Sequence, residues 1–181
     1  MTSLSPIATK VAELRRVFDQ ERAAPSSPGA QEQAENLLAI RVSRDAYAIK
    51  VSEISGLATG RKIVAFPSPI SELLGIASIR GALVPVYSLA ELLGYSAEAG
   101  QVRWLALCGT GEPFALAFSD FEGYVRVPRA HLYSAGQKAA TRTFVTHVAR
   151  ATSVVRAVVS IPLIREAIQE RCGNSSVPKE R

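Results

Sequence analysis

Two short apolar runs on either side of a tight polar junction form the clearest pattern in this chain. The runs Leu74–Ile79 and Ala82–Tyr87 are rich in residues that favour strands, and only Arg80 and Gly81 separate them. A two-residue junction that ends in glycine, between two such runs, predicts a β-hairpin. The prediction places an arginine at the hairpin tip.

The residues after the hairpin predict a short helix. Ser88 follows the second run directly, and Glu91 stands three residues later. This spacing is that of a capping box, in which the Ser88 hydroxyl accepts the Glu91 N–H and the Glu91 carboxylate accepts the Ser88 N–H. Gly94 is placed to end the helix in the left-handed conformation.

Further apolar runs with turn residues between them extend the β pattern over most of the chain. These runs are Leu37–Val42, Tyr47–Val51, Val102–Cys108, Phe114–Phe118, Tyr124–Val127, Thr143–Ala149 and Val154–Ile161. Many short strands separated by turns indicate an antiparallel barrel or a pair of barrels. A last helix is predicted from about Pro162 to Arg171.

The N-terminal residues have a different pattern. Apolar residues recur at helical spacing from about Pro6 to Arg22, at Ile7, Val11, Leu14, Val17 and Phe18. We expect an amphipathic helix within residues 1–23, a flexible linker over 24–36, a β domain over 37–171 and a disordered tail over 172–181. The helix is expected to pack on its own domain; docking on a partner is the alternative.

Composition places the chain among soluble globular proteins. Of its 181 residues 48% are hydrophobic, yet no run approaches the ~20 apolar residues of a membrane span. The first ten residues lack the layout of a secretory signal, and two cysteines do not make a disulfide framework. We therefore expect a cytoplasmic protein without membrane insertion.

The net charge of +5 raises the question of nucleic-acid binding. The cations are spread over many predicted strands, with no basic helix and no aromatic RNA-binding motif. A solvated surface is the favoured interpretation, so no nucleic-acid partner is expected. A basic β-barrel that binds nucleic acid remains the alternative function.

Few residues in the sequence suggest catalysis. The two histidines, His131 and His147, have no second histidine or cysteine at metal-ligand spacing. A hydrolase built from Ser119, Asp120 and His131 would lack both a nucleophile elbow and an oxyanion motif. We predict no catalytic residues, no metal and no cofactor, and a protein that is not an enzyme.

The hairpin and its continuation resemble the signature of CheW-like domains, the coupling modules of bacterial chemosensory arrays. The resemblance lies in Gly75–Gly81, in the apolar-apolar-Pro-apolar-apolar run around Pro85, and in Leu89. Matching segments at Tyr47–Val51 and Ala115–Asp120 extend the coverage to about residues 37–168.

The resemblance implies a mainly β fold of two intertwined, SH3-like, five-stranded barrels with short N- and C-terminal helices. It implies a non-catalytic adaptor that couples the cytoplasmic tip of a chemoreceptor to a CheA-type histidine kinase. The receptor contact of the family falls on an apolar groove between the barrels. In this chain it corresponds to Ile54, Leu57, Ser78, Ile79, Arg80, Gly81, Trp104 and Leu105.

Most departures of the chain from the family pattern are of one kind, the replacement of Asn or Asp by serine. Serines stand where the family usually has Asn or Asp, at Ser78, Ser88 and Ser119. Each serine keeps a short hydrogen-bonding side chain, so the fold is expected to survive. Negative charge is lost at two or more sites, which suggests a divergent member of the family.

Overall fold

Twelve β-strands in two six-stranded sheets account for most of the part of the chain that the structure, a computed structural model, describes. The described residues are 34–96, 102–109, 112–135, 144–151 and 154–174. The predicted helix within residues 1–23, with its apolar stripe, lies outside them. The mainly β prediction is confirmed.

The strands and helices follow one another along the chain with short connections. The strands are β1 Ala34–Val42, β2 Asp45–Lys50, β3 Ile54–Thr59, β4 Ile63–Val64, β5 Leu73–Ile79, β6 Ala82–Ser88, β7 Trp104–Cys108, β8 Phe114–Phe118, β9 Asp120–Pro128, β10 Leu132–Ser134, β11 Val145–Ala151 and β12 Val154–Val159. Helix α1 covers Leu89–Leu92 and helix α2 covers Ile161–Asn174. Two 3₁₀ turns, Val51–Glu53 and Arg129–His131, connect strands.

The first and the last strand of the described residues lie in the same sheet. The first sheet has the order β10-β11-β12-β2-β1-β9, and the second has the order β3-β7-β8-β6-β5-β4. The first sheet is therefore built from both ends of the described chain, and the whole second sheet is inserted between β2 and β9. Most neighbours are antiparallel, while β12 with β2 and β6 with β8 are parallel.

Both sheets curve strongly, because in each the two edge strands are consecutive in the chain. Only residues 60–62 join β3 to β4, and only residues 129–131 join β9 to β10. Such a link spans at most about 14 Å, so the two edges of each sheet must approach one another. Each sheet has six described strands, and the assignment to five-stranded SH3-like barrels stays a prediction.

Three apolar clusters fill the two sheets, because many strands bury both of their faces. In β7, Ala106 and Cys108 join a cluster shared by both sheets and α2, whereas Leu105 and Leu107 join a cluster confined to the second sheet. A third cluster lies within the first sheet and contains Leu37, Ala48, Val127, Ala149 and Val158. The shared cluster holds the sheets together as one body.

The predicted hairpin is present. Strands β5 and β6 pair with Ile79 opposite Ala82, so Arg80 and Gly81 form a two-residue turn. Both have positive φ, 52° for Arg80 and 82° for Gly81, which is the backbone pattern of a type I′ turn. Glycine adopts this conformation without cost, whereas arginine adopts it under strain.

Half of the predicted capping box is present at α1. The Ser88 hydroxyl accepts the Glu91 N–H at 3.3 Å, and Gly94 has φ of 83° after the helix. The reciprocal bond is replaced, because the Ser88 N–H donates to the Glu72 carbonyl at 2.8 Å.

Three predicted segments have bounds that differ from the structure by a few residues. Strand β1 begins at Ala34, inside the segment predicted as linker over 24–36. Helix α2 continues to Asn174, past the predicted end at Arg171 and into the segment predicted as a disordered tail over 172–181. Strand β9 is also longer than the predicted Tyr124–Val127, because it pairs along nearly all of β1.

Candidate functional site

A β-bulge in β3 places two of the predicted site residues on one face of the second sheet. The register of β3 against β7 shifts between Ile54 and Gly56, so Ser55 is the extra residue. Ile54 is then paired with Cys108 and Leu57 with Ala106, both of which face the shared cluster. Without the bulge, residues three apart in a strand would point to opposite faces.

Trp104 extends this face toward the first sheet. Thr59 pairs with Trp104 and Leu57 with Ala106, so Leu57 and Trp104 are diagonal neighbours on the same face. The Trp104 ring contacts Phe121 of β9 edge-to-face at 5.2 Å between centroids, and Phe121 contacts Tyr124 at 5.4 Å. This aromatic series connects one sheet to the other.

We call Ile54, Leu57, Trp104, Phe121 and Tyr124 the inter-sheet strip. Its first four members are half-buried and pack on the shared cluster. Tyr124 is 64% exposed, so the strip reaches solvent through an aromatic ring. An apolar surface of this kind, anchored in the core beneath it, is typical of a protein-binding site.

The structure separates the other predicted site residues from the strip. Ile79 and Leu105 are 3% and 2% exposed and belong to the cluster within the second sheet. Their side chains pack inside the second sheet and are not part of its exposed surface. Ser78 is exposed, and it pairs with Leu83, which is 76% exposed.

Arg80 reaches from its hairpin to the far edge of the same sheet. A Cβ built on Gly56 would stand 3.0 Å from Arg80 Nη2, so the guanidinium lies across β3 where that strand has no side chain. Gly56 pairs with Leu107 and thus faces away from the strip. The Arg80 guanidinium and the Leu57 side chain therefore lie on opposite faces of β3.

A charged group in the first sheet has a structural role. Glu122 Oε1 accepts from Arg41 Nη2 at 2.7 Å, and its Oε2 lies 2.6 Å from Nη1 of Arg156. The Arg156 side chain is only 9% exposed. Burial opposes ionisation of Glu122, but the hydrogen bonds and charges of Arg41 and Arg156 outweigh burial and lower the pKa of this carboxyl.

Helix α2 is capped from a distant part of the chain. The Ile161 N–H donates to Glu53 Oε2 at 2.9 Å, and Glu53 lies 3.7 Å from the Lys50 ammonium. A carboxylate at this position accepts a free N–H and interacts favourably with the helix dipole. The cap forms one wall of a cleft of about 780 Å³ between β3 and α2.

Groups suited to catalysis do not converge in the described residues. No three His, Cys, Asp or Glu side chains among them are arranged to hold a metal ion. Cys108 is buried, and burial raises the pKa of its thiol to about 12. No helix in the described ranges is long and apolar enough to cross a membrane.

Sequence analysis missed Phe121 and Tyr124. Both lie in β9, where the predicted strand began only at Tyr124, and the register of β9 against β1 shifts between Ala39 and Ile40. That shift lets residues three apart, Phe121 and Tyr124, face the same side as Ile40 and Leu38 of the shared cluster. Two aromatic residues three positions apart are the only signal that the sequence offers.

Comparison with known proteins gives a consistent result. A protein-family model described as the CheW-like domain matches residues 36–166. A search of curated proteins found no match. Among solved structures, the scaffolding protein TtCheW from Thermoanaerobacter tengcongensis is similar in fold, with a TM-score of 0.65 at 13% sequence identity; the match covers 71% of this chain and 90% of that one.

Proposed function

The chain belongs to the CheW-like domain family, and we propose that it is a non-catalytic adaptor that couples the cytoplasmic tip of a chemoreceptor to a CheA-type histidine kinase. The family match over residues 36–166 includes the hairpin and the inter-sheet strip. A scaffold needs accessible binding surfaces more than reactive groups. The described residues provide such surfaces.

The inter-sheet strip is the proposed receptor contact. The observation that carries this proposal is the bulge at Ser55, which brings Ile54 and Leu57 onto the face that Trp104 shares with Phe121 and Tyr124. An amphipathic helix docks on a surface of this kind by its apolar stripe. Aromatic rings supply large contact area at low entropic cost, so Trp104 and Tyr124 are the expected anchors.

The Arg80 hairpin is proposed as a second part of the receptor contact. Ser78, Arg80 and Gly81 are exposed at its tip, and a planar guanidinium suits paired hydrogen bonds to a partner carboxylate. Ile79 and Leu105 contribute by holding the hairpin and β7 in place, because both are buried.

A separate apolar face is proposed for the kinase. Val64 is 58% exposed, while Ala77 and Val84, on the opposite face of the same sheet, are buried in the second-sheet cluster. Val64 pairs with Ile76, and Ile76 pairs with Pro85, which gives an outward apolar row across three strands. An adaptor with two such surfaces can hold two partners at once.

We further propose that each curved sheet is one SH3-like barrel and that the protein works in the cytoplasm. The three-residue links between edge strands, and the apolar cluster enclosed by each sheet, support the barrels. Both proposed partners expose their binding regions on the cytoplasmic side of the membrane.

A pair of tyrosine variants tests the proposed receptor contact. Tyr124 lies in the strip, while Tyr133 of β10 is 52% exposed outside it. Tyr124→Ala is expected to weaken binding of a receptor-tip fragment about tenfold or more, because truncating an aromatic anchor costs over ~1.4 kcal/mol. Tyr133→Ala is the matched control and should bind as the unchanged protein does. Equal affinity of both variants would contradict the assignment.

A further inference from the structure

A basic cleft adjoins the inter-sheet strip at the point where β3 and β7 diverge. Thr59 and Trp104 are the last paired residues of these strands, so the pairing of β3 with β7 ends there. The cleft has a volume of about 490 Å³ and is lined by Thr59, Gly60, Arg61, Val102, Arg103, Trp104 and Leu105. We call it the basic cleft.

Two arginines give this cleft its charge. Arg61 follows β3 and Arg103 precedes β7, and both side chains are exposed. Neither forms an ion pair with any residue in the described ranges, and no carboxylate in those ranges lines the cleft. Elsewhere, arginines such as Arg41 and Arg129 form ion pairs with Glu122 and Glu35. Among the described residues, therefore, no carboxylate compensates the charge of Arg61 or Arg103.

The backbone of the cleft is held in place by the sheet. Thr59 Oγ1 donates to the Arg103 carbonyl at 2.8 Å, which joins the two strands beyond their last pair. Gly60 turns the chain away from β3 with φ of 64°. The two arginines thus project from anchored positions on either side of one opening, beside the Trp104 ring.

We infer that the basic cleft binds acidic side chains of a partner helix whose apolar stripe lies on the inter-sheet strip. This inference rests on the proposed function and specifies the chemistry of the partner. Trp104 lines the cleft and also belongs to the strip, so one helix can contact both. Carboxylates next to its apolar stripe then meet Arg61 and Arg103, which fixes the register of the helix and speeds its association.

The arrangement favours an acidic protein over a single-stranded nucleic acid. Nucleic-acid channels combine a long basic groove with several free aromatic faces. Here the Trp104 ring meets Phe121 edge-to-face, and Phe121 is half-buried. One cleft with two arginines suits one or two carboxylates.

Trp104 is a built-in reporter, because it is the only tryptophan in the chain. We propose to titrate the full chain with a receptor-tip fragment and to follow Trp104 fluorescence at about 50 and about 300 mM NaCl. Arg61→Glu with Arg103→Glu should weaken binding at least about tenfold at the lower salt and reduce its salt dependence. Arg44→Glu with Arg150→Glu changes the net charge equally at exposed sites elsewhere and should leave the affinity unchanged.

A pair of synthetic helical peptides tests the inference independently of any receptor. Both carry the same leucine stripe, and one has glutamates where the other has glutamines beside it. The glutamate peptide should bind about tenfold more tightly than the glutamine peptide, and the Arg61→Glu, Arg103→Glu variant should abolish the difference.

The outcomes separate the inference from the proposed function. Failure of the unchanged protein to bind the receptor-tip fragment would contradict the proposed function, and the peptides would still decide the inference. Binding that is equal in both double variants, or equal for both peptides, would overturn the inference and leave the receptor contact intact. Tighter, salt-sensitive binding of a single-stranded oligonucleotide in the same cleft would also overturn it.

Discussion

The guanidinium of Arg80 lies across β3 above Gly56, where a Cβ on the glycine would be 3.0 Å from Nη2. This relationship joins the hairpin of β5 and β6 to the opposite edge strand of the second sheet. It depends on a glycine at position 56, since any larger side chain would displace the arginine. The family resemblance identified Arg80 as a site residue. The position of its guanidinium over Gly56 is seen only in the structure.

Replacing Arg80 by glycine separates its structural role from its binding role. Arg80 is exposed and has φ of 52°, so Arg80→Gly removes backbone strain at the turn while adding chain entropy to the unfolded state. The free energy of unfolding is expected to change by less than about 1 kcal/mol in chemical denaturation. Receptor-tip binding should fall about tenfold. A large loss of stability with unchanged affinity would show that Arg80 only braces the hairpin.

Removing the distant cap of α2 should destabilise the protein. In Glu53→Ala the Ile161 N–H loses its acceptor, and the expected loss is about 1–2 kcal/mol in the free energy of unfolding. Ser52→Ala changes an exposed neighbour in the same turn and serves as the control. Two variants of equal stability would show that water replaces the cap without cost.

Glu122 should make the protein sensitive to acid. Its pKa is lowered in the folded protein from a usual value of 4.5, so its stabilising contribution is complete above that pH. The contribution is lost as the pH falls below about 4.5 through the lower pKa of the folded state. Denaturation of the unchanged protein and of Glu122→Gln, followed across this range, should show a smaller acid-induced loss in the variant.

Truncating Glu122 should lower the free energy of unfolding at any pH at which its carboxyl is ionised. Glu122→Ala leaves the nearly buried Arg156 without its partner, and the expected loss is about 2–4 kcal/mol. Glu35→Ala breaks a pair with Arg129, whose side chain is 60% exposed, and should cost under about 1 kcal/mol. Similar losses in the two variants would contradict the structural role of the buried pair.

The two cysteines should differ sharply in reactivity. Cys108 is buried with a pKa raised to about 12, whereas Cys172 is exposed at the end of α2. Because the thiolate is the reactive form, a thiol reagent near neutral pH should modify Cys172 alone in the folded protein. Unfolding should release Cys108 for the same reagent. Rapid modification of both under native conditions would indicate that β7 opens readily.

Local patterns predicted the elements whose determinants lie close together in the sequence. The hairpin follows from the Arg80-Gly81 junction between two apolar runs, and the Ser88 cap follows from its spacing to Glu91. The second half of the capping box was predicted wrongly, because the Ser88 N–H bonds to Glu72 across the sheet. Which acceptor the Ser88 N–H bonds to depends on a tertiary contact, and such contacts cannot be read from the local sequence.

The candidate site was only partly predictable for a related reason. Ile54, Leu57 and Trp104 came from the resemblance, and the bulge at Ser55 that aligns them has no local signature. Ile79 lies between exposed positions, and Leu105 lies in a strand that is buried on both faces, and the sequence does not distinguish such supporting residues from contact residues. Phe121 was missed because its role depends on the irregular register of β9 against β1.

The most direct test of the adaptor proposal is receptor control of kinase activity in a reconstituted mixture. Receptor-tip fragments and the CheA-type kinase from the same organism are assayed with this chain, with Tyr124→Asp and with the control Tyr133→Asp. We expect receptor-dependent kinase activity with the unchanged chain and with the control, and its loss with Tyr124→Asp. Kinase activity that does not respond to the unchanged chain, or that responds equally to Tyr124→Asp, would contradict the account.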